Sequence, residues 1–211
     1  MLDLHDYLKI LVSLLVITDP IGAIPLFVTL TSGRDTDFRR STIRGACLAV
    51  AGLFLLTILV GPNLLAAFSI SVASFRIGGG ILLLIMAVDM LVGRPARGRT
   101  PLTHPPESEE KESIGIVPLA IPYLAGPGAI SALIIYRQQS TDPTHLALLI
   151  AIALTTVSVI WLVLTFASHF GRLIGPTGIS IAVRILGLIL AAISVEFITS
   201  GLLVLLPGLA R

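Results

Sequence analysis

Long apolar runs separated by short polar stretches organise this 211-residue chain. A helix of about 20 apolar residues crosses a hydrocarbon core of about 30 Å. Six runs meet that length within a few residues, at 7–32, 43–60, 75–92, 114–136, 146–167 and 179–206. The pattern therefore predicts an all-α polytopic membrane protein of six transmembrane helices, with both termini on one side. Residues 63–71 read as a loop or as a short interfacial or re-entrant piece. The segment 93–113 contains four prolines and the acidic Glu107, Glu109, Glu110 and Glu112, and is too polar to bury. Its core, 101–113, reads as a flexible linker between a first unit, 1–100, and a second, 114–211.

Comparison of the two units brings out a repeat. Ile70-Ser71-Val72-Ala73 precedes Arg76-Ile77 and a glycine run, and Ile179-Ser180-Ile181-Ala182 precedes Arg184-Ile185 and Gly187. Spans one and four are each interrupted at their middle by proline and glycine. The first interruption is Asp19-Pro20-Ile21-Gly22-Ala23-Ile24-Pro25, and the second is Pro122-Tyr123-Leu124-Ala125-Gly126-Pro127-Gly128. Each unit has three spans, an odd number, so the second must enter the bilayer inverted. Inverted three-helix repeats with paired broken helices are a recurrent plan of secondary transporters, and the breaks point to the substrate site.

Proline removes a backbone donor and clashes with the preceding turn, so both breaks free backbone groups at depth that protein, water or substrate must satisfy. In the first, Thr18 or Asp19 is a natural N-cap, with Pro20 at the first helical position. In the second, Gly126 and Pro127 offer the same arrangement without a side-chain cap. Two half-helix N-termini converging near the midplane would hold an anion such as a carboxylate. Glycines at 22, 126 and 128 would admit a small ligand close to the backbone. Either break alone reads equally well as a structural kink; the symmetric pair favours a site. The candidate substrate-binding set is Thr18, Asp19, Gly22 and Ala23 at the first break and Ala125, Gly126, Gly128 and Ser131 at the second.

Acids and bases at membrane depth are costly and mark function. Asp19 is a candidate for ion coupling as well as capping. Glu196, inside span six, is a candidate for proton coupling or for a buried pair with an arginine. Arg76 and Arg184 begin their spans, where snorkelling to the headgroups is the ordinary role, and their repeated position makes them candidates for gating pairs with an acid of the other unit. Asp89 falls near the end of span three and is expected at the interface.

Composition and charge narrow the class. The residues are 55% hydrophobic and 12% charged, with mean hydropathy +1.00, which excludes an ordinary soluble domain. The sequence pI is about 9.0, yet the net charge is only +2 and the bases lie in short clusters, so they read as topology signals and not as a nucleic-acid surface. Arg34, Arg39, Arg40, Arg44, Arg94, Arg97, Arg99, Lys111 and Arg172 lie on one side, against Lys9, Arg76, Arg137 and Arg211 on the other. The first side is thereby expected in the cytoplasm and both termini outside. The acidic start of the chain argues against a cleavable signal peptide, so span one is expected to stay. Cys47 is unpaired and reads as core packing. The histidines at 5, 104, 145 and 169 show no metal-ligand spacing, and no catalytic or cofactor motif is apparent, so neither an enzyme nor a cofactor is expected.

The motif Asp19-Pro20-Ile21-Gly22-Ala23-Ile24-Pro25-Leu26-Phe27, with Pro118 to Ile130 ending in Ala125-Gly126-Pro127-Gly128-Ala129-Ile130, resembles the MarC/SnatA family, also called the neutral amino acid transporter family. The resemblance implies a bacterial or archaeal inner membrane and transport of small neutral amino acids such as glycine and alanine, coupled to H+ or Na+. It is compatible with a homo-oligomer in membrane lipid. Ala23 stands where that family often has asparagine, so the site loses a polar side chain. Two other readings stay open, an exporter of other small metabolites or drugs and a non-transport assembly protein. The small aromatic share, 6%, speaks against a roomy drug cavity.

Overall fold

The computed structural model describes residues 2–93 and 124–210. α1 (Leu4–Thr18) opens with a reciprocal capping box, in which the Asp3 carboxylate accepts the Asp6 N–H at 2.9 Å and the Asp6 carboxylate accepts the Asp3 N–H at 3.3 Å. It stops at Asp19, and α2 (Ala23–Leu30) follows after a short break. Asp35, Ser71 and Asp142 then cap α3 (Thr36–Ala67), α4 (Val72–Val92) and α6 (Pro143–Thr165) by accepting N–H groups of the first turn. α5 (Pro127–Arg137) starts after Gly126. α7 (Ala167–Leu205) bends at Gly175, whose φ of 69° is followed by Pro176, and a 3-10 turn, Pro207–Ala210, follows it.

Among the described residues four helices are long and apolar enough to cross a membrane: Thr36–Ala67, Val72–Val92, Pro143–Thr165 and Leu173–Leu205. α1 and α2, bent by 45° at a short break, meet the same length and hydropathy requirement only as a pair. The fourth expected span is described only from Leu124 onward; its earlier part, the linker 101–113 and the bases Arg94, Arg97, Arg99 and Lys111 lie outside the described residues, as does Arg211. Three stretches outside the expected spans are wholly or largely helical instead. α3 begins at Thr36 rather than near 43, because Asp35 supplies a cap ahead of the basic turn, and it runs through Pro62 to Ala67, so most of 63–71 is helix. The stretch after span five, expected as a loop, is the first part of α7.

The most extensive packing joins α4 and α7, which run antiparallel on a seam of glycines. A Cβ on Gly80 would lie 2.9 Å from the Ser194 carbonyl oxygen, and one on Gly201 would lie 2.7 Å from that of Ala73. Small residues let these backbones approach, which is how helices gain packing where lipid provides no hydrophobic drive. The interior is filled by Leu14, Ile17, Phe27, Phe54, Ile58, Leu83 and Leu133, all essentially inaccessible. Leu48, Leu56, Leu59, Ile81, Ile85, Leu162, Ile185 and Leu188 face outward instead. An apolar exterior of that extent suits lipid and not water.

One polar contact ties three helices at the end where the chain begins. The fully buried His145 of α6 donates from Nε2 to the Tyr136 carbonyl oxygen at 2.9 Å, since a carbonyl can only accept, and its Nδ1 then accepts the Tyr7 hydroxyl at 3.1 Å. His145→Ala strands both partners. We expect it to lower stability in detergent by about 1–3 kcal/mol, read as an earlier thermal unfolding transition, with His145→Gln recovering part of the loss.

Candidate substrate site at the paired helix breaks

The first break is built by Asp19. The residue is 1% exposed and sits in the left-handed region at φ 46°, ψ 61°, a conformation that aspartate and asparagine tolerate better than most residues. It is the C-cap of α1, its own N–H bonding to the Leu15 carbonyl at 3.1 Å, and not the N-cap of the following half-helix that the sequence suggests. The reason is local. Its carboxylate accepts the Gly22 N–H at 3.0 Å and its carbonyl accepts the Ala23 N–H at 3.2 Å, so α2 starts three residues later than Pro20 would allow. Thr18, fully buried, turns its hydroxyl back onto the Leu15 carbonyl.

At the second break only the start of the distal half-helix lies within the described residues, and it follows the expected capping pattern. Gly126 is an extended N-cap, Pro127 occupies the first turn, and no side chain caps α5. Ala125, Gly126, Gly128 and Ser131 are buried. Gly128 and Ser131 serve packing in this arrangement. A Cβ on Gly128 would meet Leu83 Cδ2 at 2.7 Å and Met86 Sδ at 2.9 Å, and one on Gly79 would meet Ser131 Cβ at 2.9 Å.

The same position sets the start of α5 beside the end of α1. The Cβ direction of Gly128 also points at Ile17 Cγ2, 3.6 Å away and two residues before Asp19. Leu83 and Met86 stand near the middle of α4, so the meeting lies near half the height of the bundle. The two ends carry opposite polarity. The C-terminus of α1 with the Asp19 carboxylate favours a cation, and the uncapped N-terminus of α5 favours an anion.

The candidate coupling and gating residues divide between the two ends of the α4/α7 pair. Arg76 and Glu196 line one cavity of about 800 Å³, together with Asp6, Lys9 and Ser13 of α1 and Tyr136 of α5. Arg76 Nε is buried there and has no hydrogen-bond partner among the described residues. Glu196 is exposed to this cavity and is not the buried acid expected; among the described residues no ion pair joins it to Arg76. At the other end Arg184 reaches over Gly93, its Nη2 3.6 Å from where a Cβ would lie. Arg76 lies beside Gly201 by its Cβ, which would be 3.3 Å from a Cβ on that glycine, and not by its guanidinium. The sequence reading missed the polar face of α1, although Asp6, Lys9 and Ser13 recur at three- and four-residue spacing and so share one side of a helix.

Broken and unbroken apolar helices around a polar break at mid-height define a multi-pass integral membrane protein. The chain belongs to the MarC family of integral membrane proteins, whose defining pattern matches residues 4–206. It is 36% identical to the UPF0056 membrane protein YhcE of Escherichia coli over 98% of this chain and 96% of that one. It is 35% identical to a UPF0056 membrane protein of Archaeoglobus fulgidus over 95% of this chain and 96% of that one. No solved structure matches the chain.

Proposed function

We propose that the protein is a secondary transporter of small neutral amino acids, working by alternating access between two inverted three-helix repeats. The observation that carries this reading is the approach of the end of α1 to the uncapped start of α5 near mid-height, with opposite polarity. A zwitterion would place its ammonium at Asp19 and the carbonyl end of α1, and its carboxylate at the uncapped start of α5. In this reading residues 114–123 complete the fourth of six spans, 1–100 and 114–211 are the repeats, and Thr18, Gly22, Ala23, Ala125, Gly126, Gly128 and Ser131 enclose the ligand. The pairing of positions, Arg76 beside Gly201 and Arg184 beside Gly93 on antiparallel α4 and α7, supports a two-fold relation between the units, although different atoms make the two contacts. The cavity lined by Arg76 and Glu196 is the entrance on the side of the N-terminus, expected outside a bacterial or archaeal inner membrane. Asp19 or Glu196 carries the coupling H+ or Na+.

The experiment is glycine and alanine binding to the detergent-purified protein, with Gly22 and Gly126 separately replaced by leucine. Saturable binding lost in both variants, each still monodisperse, supports one shared site. Equal binding in either variant removes that break from the site, and no binding to the parent protein sinks the reading.

A further inference from the structure

A second cavity, of about 490 Å³, opens at the opposite, arginine-rich end of the bundle. Arg39, Arg40 and Arg44 of α3 line it, with the hydroxyl-bearing Thr165 and the indole of Trp161 from the end of α6. Three observations point to its ligand. Among the described residues no carboxylate pairs with Arg39, Arg40 or Arg44, and Asp35 is occupied in capping the Phe38 N–H at 2.8 Å. One guanidinium is held in place, since Arg39 lies 5.7 Å from the centroid of the buried Phe27 ring. The depth suits a headgroup. α3 has 32 residues, hence a length of about 48 Å, and its charge-free stretch starts only after Arg44, so these arginines stand beyond the hydrocarbon, with Trp161 at the boundary where indoles settle.

We propose that this cavity is a binding site for the phosphate headgroup of an anionic phospholipid from the leaflet facing this end of the bundle. The phosphate oxygens accept from Arg39, Arg40 and Arg44, and the acyl chains lie on the outward apolar surface of α3 and α6. A basic pocket of this shape selects a lipid by charge, independently of what the protein transports.

The chain contains a single tryptophan, and it lines the cavity, so the protein carries its own reporter. Full-length protein is reconstituted in mixtures containing either a brominated-chain phosphatidylglycerol or the matching brominated phosphatidylcholine, and quenching of Trp161 is followed against mole fraction. Phosphatidylglycerol is expected to quench at a clearly lower mole fraction, with each arginine contributing about a fivefold preference. Arg40→Gln lowers that preference, whereas Arg34→Gln, the same loss of charge outside the cavity lining, leaves it unchanged. Equal quenching by the two lipids overturns the proposal. Equal effects of the two substitutions also overturn it, since they would mark diffuse attraction instead of a built site. Competition by millimolar inorganic phosphate or glycerol 3-phosphate in phosphatidylcholine alone would reassign the cavity to a soluble phosphate and overturn the lipid. Arg44→Gln, tested alongside and checked for monodispersity, keeps the comparison open if Arg40→Gln fails to fold.

Discussion

Gly80→Ala lowers the thermal unfolding midpoint of the purified protein, while Gly78→Ala two residues away leaves it unchanged or raises it. The glycine run at 78–80 begins as three identical residues with three different surroundings. Nothing lies within 4 Å of a Cβ on Gly78, whereas one on Gly80 would stand 2.7 Å from Ile198 Cγ1, 2.9 Å from the Ser194 carbonyl and 3.1 Å from the Ile198 nitrogen. Two of those three atoms are backbone and have no rotamer to yield, so α7 must move as a body. Overpacking of this kind costs about 1–3 kcal/mol, against a gain of up to about 1 kcal/mol from replacing glycine by alanine within a helix. At Gly78 only the gain applies. Gly201→Ala, opposed by the Ala73 carbonyl, should resemble Gly80→Ala, and combining the two should cost less than the sum, since one shift of the same interface relieves both. A loss of stability in Gly78→Ala matching that of Gly80→Ala would show that the seam is not where the close approach occurs.

How much of this was legible in the sequence depended on the length scale of the signal. Runs of apolar residues depend on many positions, and every described transmembrane helix falls within or around an expected span. The helix ends were misjudged where one capping side chain decided them. Asp35 starts α3 at Thr36, well before the apolar run, because a cap and a basic amphipathic turn suffice outside the hydrocarbon. At the first break, proline at the first helical position argued for a helix starting at Pro20, and the competing preference of Asp19 for the left-handed C-cap prevailed. At the second break no side chain competes, and Gly126-Pro127 behaves as read. Glu196 is exposed to a cavity and not buried because α1 and α5 leave room beside α7 at that end, a tertiary spacing with no trace in the periodicity of span six.

Asp19→Asn leaves the protein folded and reduces glycine and alanine flux in liposomes to the level of empty vesicles. This substitution separates the two roles that Asp19 combines. The structural role needs a residue that accepts the left-handed conformation at φ 46° and offers a side-chain oxygen to the Gly22 N–H. Asparagine does both at nearly the same size. The functional role assigned here needs a negative charge beside the carbonyl end of α1, and asparagine lacks it. Asp19→Ala is the contrasting case. It places a Cβ in the left-handed region without the local hydrogen bond that offsets the strain, at a cost of about 1–2 kcal/mol, and leaves the Gly22 N–H unpartnered, for a further 1–3 kcal/mol or so. Asp19→Ala should therefore lose stability as well as flux, and Asp19→Asn flux alone. If Asp19→Asn transports like the parent protein while Asp19→Ala unfolds early, Asp19 is a cap and nothing more, and the coupling charge must be sought at Glu196.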